Sequence, residues 1–317
     1  MDLSVVIPVY NEEENVEPLI REIHAAVAPL GKRYEIVVVD DGSEDGTFAV
    51  LAGLFRCEDH LRIVRLKRNF GQTAALAAGL AHARGAVVVL MDGDGQNDPG
   101  DIPLMLAEID RGNDLVCGWR YERKDPFLSR RLPSMIANGL ISRTTDVRLH
   151  DYGCTLKAMR AEVARGLRLY GEMHRFIPAI AYERGARIAE VKVNHRPRTR
   201  GASKYGIGRT LRVILDLLTV KFLLSYSTRP LHFFGLIGVA CGSLGFLFSA
   251  YLTVQKLVYG ADIGGRPLLL LAVLLVFIGI QFVTLGLLGE MLSRTYHESQ
   301  DKPVFVVGEI LDRGERP

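Results

Sequence analysis

Two long runs without a single Asp, Glu, Lys or Arg constrain this chain more than any other feature. Leu231–Val254 reads LHFFGLIGVACGSLGFLFSAYLTV, and Pro267–Leu288 reads PLLLLAVLLVFIGIQFVTLGLL. Each matches the roughly 20 residues an α-helix needs to cross the hydrocarbon core of a bilayer. Two buried helices of a soluble core are the alternative. The intervening Gln255–Arg266 is too short for a domain, so residues 230–289 are expected to form a membrane hairpin with both ends on one side. Arg209, Arg212, Lys221 and Arg229 flank it, against Lys256 and Arg266 in its loop. The positive-inside rule then places the flanks in the cytoplasm. The start of the chain agrees: Met1–Ser4 has no basic segment, and the apolar run after it stops at Pro8, so no secretory signal is expected.

Between the hairpin and what precedes it, Gly208–Thr228 carries an apolar face with sparse charges. It predicts an amphipathic helix over 208–229 lying in the headgroup region, a core helix being the alternative. The tail, 290–317, contains a strand-like Val304–Val307 whose partner the sequence does not reveal. Four scattered cysteines, Cys57, Cys117, Cys154 and Cys241, lack any CxxC spacing, which argues against zinc and a disulfide framework. The net charge is only +3, with no basic block of the kind that binds nucleic acid.

Residues 1–207 have a different texture. Short apolar, β-branched runs (Leu3–Val9, Glu35–Val39, Leu61–Leu66, Ala86–Met91, Leu115–Cys117) alternate with helical periods around Val16–Val27, Thr47–Phe55, Thr73–Ala83 and Ile102–Ile109. Near-continuous apolar strands separated by helices predict an α/β domain, Rossmann-like, with a buried and mostly parallel sheet. Such sheets bind ligands at the carboxyl ends of their strands, so the polar residues after each strand carry the functional information.

Three of those strand ends are acidic. Pro8-Val9-Tyr10-Asn11-Glu12 closes the first. Asp40-Asp41-Gly42-Ser43, followed by Asp45-Gly46-Thr47, closes the second. Asp92-Gly93-Asp94-Gly95-Gln96 follows Ala86–Met91. Carboxylates at the first two ends can accept hydrogen bonds from a base or ribose, and the glycines let backbone approach a ligand. Two carboxylates spaced Asp-x-Asp can share a hard divalent cation, Mg²⁺ or Mn²⁺, which takes oxygen ligands and is commonly completed by substrate phosphates. The amide of Gln96 can supply or position a further ligand. Any one of these patches could be an ordinary turn; three on one sheet edge are harder to read that way.

In this order and spacing the three motifs resemble family 2 glycosyltransferases with a GT-A nucleotide-sugar-binding fold. Asp151-Tyr152-Gly153-Cys154, His174-Arg175-Phe176-Ile177-Pro178 and Arg200-Gly201-Ala202-Ser203-Lys204-Tyr205 are similar to the polyprenyl-phosphate branch, and the resemblance extends through the hairpin. It implies that Asp92, Asp94 and Gln96 hold the metal and the donor diphosphate, Asp94 being central to catalysis. It further implies that Pro8, Tyr10, Glu12, Asp40 and Asp41, with Asp92, bind the nucleotide sugar. Arg200 and Lys204 match a basic loop over the donor phosphates, where positive charge stabilises the departing diphosphate. Arg120, Arg131, Ser134 and Asn138 fall where the acceptor phosphate is held, with Arg130 an alternative to Arg131.

The activity so implied is transfer of a sugar, with inversion, from a nucleotide sugar (UDP before GDP) to a polyprenyl phosphate such as undecaprenyl phosphate. The site would face the cytoplasm at the inner membrane, in a homo-oligomer that relatives suggest is a tetramer. A lipid phosphate is already ionised at neutral pH and needs positioning rather than deprotonation. Glu172 is therefore read as structural or substrate-orienting. Three other readings compete. A hydroxyl acceptor, as in a polysaccharide synthase, is disfavoured because Trp119 is the lone tryptophan and no QxxRW motif exists. A lipid-sugar transporter lacks intramembrane charge to guide a headgroup. A non-catalytic scaffold would have little use for intact Asp92, Asp94, Gln96, Arg200 and Lys204.

Overall fold

The computed structural model describes residues 1–121, 147, 149–169, 173–196, 230–299 and 304–313. The chain divides into two compact units, Met1–Leu217 with Pro303–Pro317, and Leu218–Lys302. The helix expected over 208–229 lies outside the described residues.

The first unit is built on four parallel strands, β1 (Leu3–Val9), β2 (Tyr34–Asp40), β3 (Leu61–Leu66) and β4 (Val87–Leu90). All seven residues of β1 and of β2 are buried, as befits strands covered on both faces. The connecting helices are α1 (Val16–Val27), α2 (Thr47–Cys57), α3 (Gln72–His82) and α4 (Ile102–Asp110). In α1, Val16, Leu19, Ile20, Ile23 and Val27 recur at helical spacing and enter the core. Beyond α4 come β5 (Leu115–Arg120), β6 (Lys157–Arg160), the short α5 (Ala161–Gly166), α6 (Ile177–Glu183) and β7 (Ile188–Val193). Strand β6 runs antiparallel between β4 and β5, while β7 lies parallel to β5.

The tail strand sits slightly later than its sequence pattern indicated. It is β8 (Val307–Leu311), and its partner is β3, to which it pairs antiparallel. The sheet thus has eight strands in the order β7-β5-β6-β4-β1-β2-β3-β8. Asp312, just past β8, bonds Arg84 at 2.7 Å and lies 3.4 Å from Arg62 Nε. Arg62 is buried and also meets buried Glu35 at 3.1 Å, and Glu35 in turn accepts the Ser4 hydroxyl at 2.5 Å. A buried guanidinium is tolerable here because two carboxylates face it.

The second unit is an antiparallel-connected pair, α7 (Pro230–Tyr259) and α8 (Pro267–Ser299), so both helices run several residues past the apolar runs. Their apolar windows, Phe234–Tyr259 and Pro267–Gly289, have mean hydropathy 1.7 and 2.8, yet only 17% and 11% of these windows is buried. Helices that are apolar all round and exposed need an apolar solvent, which excludes the soluble-core alternative. Glycines let the two backbones meet: a Cβ on Gly238 would lie 2.7 Å from the Gly279 carbonyl, and one on Gly245 2.8 Å from that of Ala272. Small residues at such a contact provide close packing where no hydrophobic driving force exists between helices.

One glycine in the first unit is equally constrained. A Cβ on Gly79 of α3 would fall inside the van der Waals envelope of Val6 Cγ1 and 3.2 Å from Val39 Cγ2. Valine has little rotamer freedom with which to yield. Gly79→Ala should therefore destabilise this unit by about 1–3 kcal/mol, lowering the thermal midpoint in detergent; an unchanged midpoint would mean that α3 can lift off β1 at no cost.

Candidate active site

The parallel register sets Val9 of β1 opposite Asp40 of β2, so the first two acidic ends emerge side by side. They interlock. Asn11, which adopts a left-handed φ of 54°, donates its backbone N–H to Ser43 Oγ at 3.0 Å and accepts the Glu44 N–H at 2.9 Å. The Glu12 N–H bonds Thr47 Oγ1 at 2.9 Å, and the Gly46 N–H bonds Glu13 at 2.8 Å. Gly42 must be glycine: its φ is 69°, and the backbone of Arg68–Asn69 lies where a Cβ would be. Pro8 is buried within β1, and Tyr10 and Glu12 are half-buried just beyond it.

The adjacent aspartates have different surroundings. Asp40 is wholly buried; its Oδ1 accepts the Ser43 N–H at 2.9 Å, whereas Oδ2 has no hydrogen-bond partner among the described residues. Arg65 Nε stands 3.5 Å from that oxygen, its guanidinium stacked over the Phe48 ring at 4.0 Å. A buried carboxylate oxygen without a hydrogen bond is costly, and a ligand N–H would satisfy it. Asp41 uses both oxygens within the protein, accepting the N–H groups of Phe70 at 2.8 Å and Gly71 at 2.9 Å. Burial raises its carboxyl above the ordinary range, those two bonds oppose the rise, and neighbouring Asp40 adds to it. Its place is to organise the turn that starts α3, a scaffold role that sequence alone does not distinguish from nucleoside contact.

The third acidic end joins the same edge. A Cβ on Gly93 would lie 2.6 Å from Val9 Cγ1 and 2.9 Å from the Pro8 carbonyl, so this loop passes directly against the end of β1. The Asp92 N–H bonds Asn97 Oδ1 at 3.1 Å, and Asp94 Oδ1 accepts the Gln96 N–H at 3.1 Å. Asp92 Oδ1 also accepts the Gln72 side-chain amide at 2.8 Å. Burial, with added repulsion from Asp94, pushes the Asp92 carboxyl up to about 6 against the opposing influence of Thr155, Arg120 and Lys157. Among the described residues no group of three or more His, Cys, Asp or Glu gathers for a metal. Asp92, Asp94 and the Gln96 amide are a hard-oxygen donor set too small to fill a coordination sphere. That fits an Mg²⁺ or Mn²⁺ whose other ligands are phosphate and water.

The loop after β7 supports the Asp92 loop from outside. The Arg196 N–H bonds the Gln96 carbonyl at 2.9 Å, its guanidinium reaches Asp98 at 2.8 Å, and Asn194 is held by Asp101 at 2.7 Å. At the end of β5, Arg120 grips Asp151 through two bonds of 2.6 and 2.9 Å. Burial alone would lower its pKa, but the paired carboxylate more than reverses that. Arg120, expected from the motif to hold acceptor phosphate, is oriented by Asp151 through Nε and Nη2. Arg131, Ser134, Asn138, Glu172, Arg200 and Lys204 lie outside the described residues.

Sequence reasoning passed over Gln72, Thr73, Thr155 and Lys157. The sequence marks no functional motif at the end of β3, and Gln72 lies six residues past it, at the first position of α3. Thr73 bonds His174 Nδ1 at 2.7 Å, tying α3 to the His174–Pro178 motif. Lys157 is buried on β6 opposite Leu90, with its ammonium on the Cys154 carbonyl.

Residues 4–168, just over half of the chain, match the family model described as Glycosyl transferase family 2. The chain belongs to glycosyltransferase family 2. Similarity to curated members runs nearly end to end. The dodecaprenyl-phosphate galacturonate synthase of Rhizobium johnstonii is 48% identical over 98% of this chain and 94% of its own length. The undecaprenyl-phosphate 4-deoxy-4-formamido-L-arabinose transferase of Shewanella sediminis is 39% identical over 98% of this chain and 92% of its own. Among solved structures, glucosyl-3-phosphoglycerate synthase from Mycobacterium tuberculosis with Mn²⁺ and UDP-glucose superposes with a TM-score of 0.55, at 20% identity, over 72% of this chain and 81% of that one. That likeness shows the GT-A fold. This glycosyltransferase, with two helices long and apolar enough to cross a membrane and relatives named for polyprenyl phosphates, is a membrane protein.

Burial of His174 gives the enzyme a pH signature. Burial lowers the His174 pKa to about 3 from an ordinary 6.5, with Arg175 and Lys157 adding to the shift. Above pH 6.5 the ring is neutral both folded and unfolded, and it contributes nothing to pH dependence. Between 6.5 and about 3 only the unfolded chain binds the proton, so stability falls as pH falls. His174→Gln should flatten part of the decline in unfolding midpoint between pH 6.5 and 4.5; an identical slope in both proteins would place the acid sensitivity elsewhere.

Proposed function

We propose that this glycosyltransferase transfers a sugar from a UDP-sugar to a polyprenyl phosphate, with inversion and with Mg²⁺ or Mn²⁺, at the cytoplasmic face of the inner membrane. The observation that carries the reading is the shared sheet edge. A buried carboxylate oxygen awaiting one N–H, at Asp40, stands beside a carboxylate pair suited to a diphosphate-bound cation, at Asp92 and Asp94. The acceptor class is supported by the names of the two relatives, whose similarity continues through the hairpin.

The state of Asp40 favours uridine over guanosine. Uracil offers a single N–H between two carbonyls, which matches the one unsatisfied oxygen. Guanine offers adjacent N1–H and N2–H donors that call for both oxygens of a carboxylate, and Asp40 Oδ1 already holds Ser43. Asp92, Asp94 and Gln96 would hold the cation together with the donor diphosphate. When bound, that cation supplies positive charge to the departing nucleoside diphosphate.

An oxygen of the acceptor phosphate attacks the anomeric carbon as the bond to the diphosphate breaks, and the electron pair leaves with the nucleotide. Because that oxygen is already anionic, no base is required. Direct displacement turns an α-linked donor into a β-linked product. Arg131, Ser134 and Asn138 are proposed to seat the acceptor phosphate, and Arg200 and Lys204 to stabilise the leaving group, in keeping with the motifs they occupy. A homo-oligomer, a tetramer by family resemblance, belongs to the same reading.

Purified protein in lipid, given undecaprenyl phosphate and a panel of UDP- and GDP-sugars, should yield an extractable lipid-linked sugar from one UDP donor, and EDTA should stop the reaction. Asp94→Ala should reduce that product by about 10³-fold or more while the variant remains folded and in the membrane fraction. Nucleotide release without a lipid product would instead indicate a hydroxyl acceptor, and undiminished turnover by Asp94→Ala would remove the cation site from the mechanism.

A further inference from the structure

We propose that Gln72 determines which divalent ion the site accepts, by restricting Asp92 to coordination through one oxygen. The inference rests on the reading of Asp92 and Asp94 as cation ligands and goes beyond it to ion selectivity.

Gln72 is held in place from both sides. Before it, Asp41 fixes the N–H groups of Phe70 and Gly71, with Gly71 at a φ of 95° that turns the chain into α3. After it, Thr73 is tied to buried His174. Its side-chain amide then donates to Asp92 Oδ1 at 2.8 Å. Asp94 is similarly engaged, its Oδ1 accepting the Gln96 N–H at 3.1 Å. Each carboxylate therefore enters ion binding with at least one oxygen already in a hydrogen bond inside the protein. A cation taking both oxygens of Asp92 would have to share Oδ1 with the Gln72 amide. A cation taking one oxygen leaves that bond intact.

Divalent ions differ in how much this costs them. Ca²⁺ gathers about 6–8 oxygens at roughly 2.3–2.6 Å and readily takes carboxylates through both atoms. Mg²⁺ requires a near-octahedral set at about 2.0–2.1 Å and is satisfied with one oxygen per carboxylate plus phosphate and water. A site that offers two half-engaged carboxylates favours the smaller ions and penalises Ca²⁺. A Gln72 that merely stabilised the fold would affect all ions alike. A Gln72 that sets the coordination mode affects them unequally.

The test uses the full-length protein in lipid with UDP present and compares wild type with Gln72→Met, which keeps length and helix propensity, and Gln72→Ala. Mn²⁺ binding is read by electron paramagnetic resonance and Ca²⁺ binding by competition against it, with the metal-free unfolding midpoint as control for folding. In both variants Mn²⁺ affinity should fall about tenfold, as expected for loss of a group that orients a metal ligand, while Ca²⁺ affinity falls much less, so that the preference for Mn²⁺ narrows. Equal weakening of both ions, or no change in either, overturns the role of Gln72 while leaving the cation site standing. Failure of wild-type protein to bind Mn²⁺ with UDP overturns the cation-site reading itself.

Discussion

The active edge of this enzyme depends on the parallel register of β1 with its two neighbours. Val9 lies opposite Asp40 and Val6 opposite Leu90, which brings three acidic loops out together. In most sheets the alternation of apolar and polar side chains sets such a register, because a one-residue slip would invert the faces. Here β1 and β2 are buried on both faces and largely apolar, so alternation carries little such information beyond the buried Ser4–Glu35 pair. The polar bonds beyond the strand ends supply what the strands do not. Asn11 with Ser43 and Glu12 with Thr47 join the two strand ends and pair only in the observed register. Residues that look purely functional in the motifs therefore also hold the fold in alignment.

Much of this architecture is legible in the chain. The β-branched runs match the parallel strands to within a residue or two, and the charge-free runs match the long helices, because both follow from burial and local periodicity. What pairs with what is less legible. The partner of the tail strand could not be read because β3 and β8 are separated by some 240 residues of chain, and nothing local in Val307–Leu311 names its partner. The acidic motifs are visible as letters, but the difference between Asp40 and Asp41 is not. One has a carboxylate oxygen left over and the other has none, and only the position of the Phe70–Gly71 turn decides which. Gln72 escaped notice for a related reason: a glutamine after an Asn-Phe-Gly turn looks like ordinary solvated surface until Asp92 is placed beside it.

The two units obey different solvents. In the first, side chains interdigitate around a buried sheet, and water drives the packing. In the second, the large side chains of α7 and α8 point outward, with Leu236 73% and Phe246 69% exposed, while the glycines face inward. That inversion of the usual rule is what a hydrocarbon surround produces. It gives the glycosyltransferase a permanent home in the phase that holds any lipid acceptor.

Strand β8 has a consequence for how the molecule is made. It follows both long helices in the chain, yet it pairs with β3, which precedes them. During synthesis the edge of β3 stays open, and Arg62 lacks one of its two carboxylates, until the hairpin and the residues through Asp312 have left the ribosome. Insertion of the hairpin and closure of the sheet are thereby ordered in time. The sheet can close only after both long helices have been made, so its last strand reports that the chain through the second unit is complete.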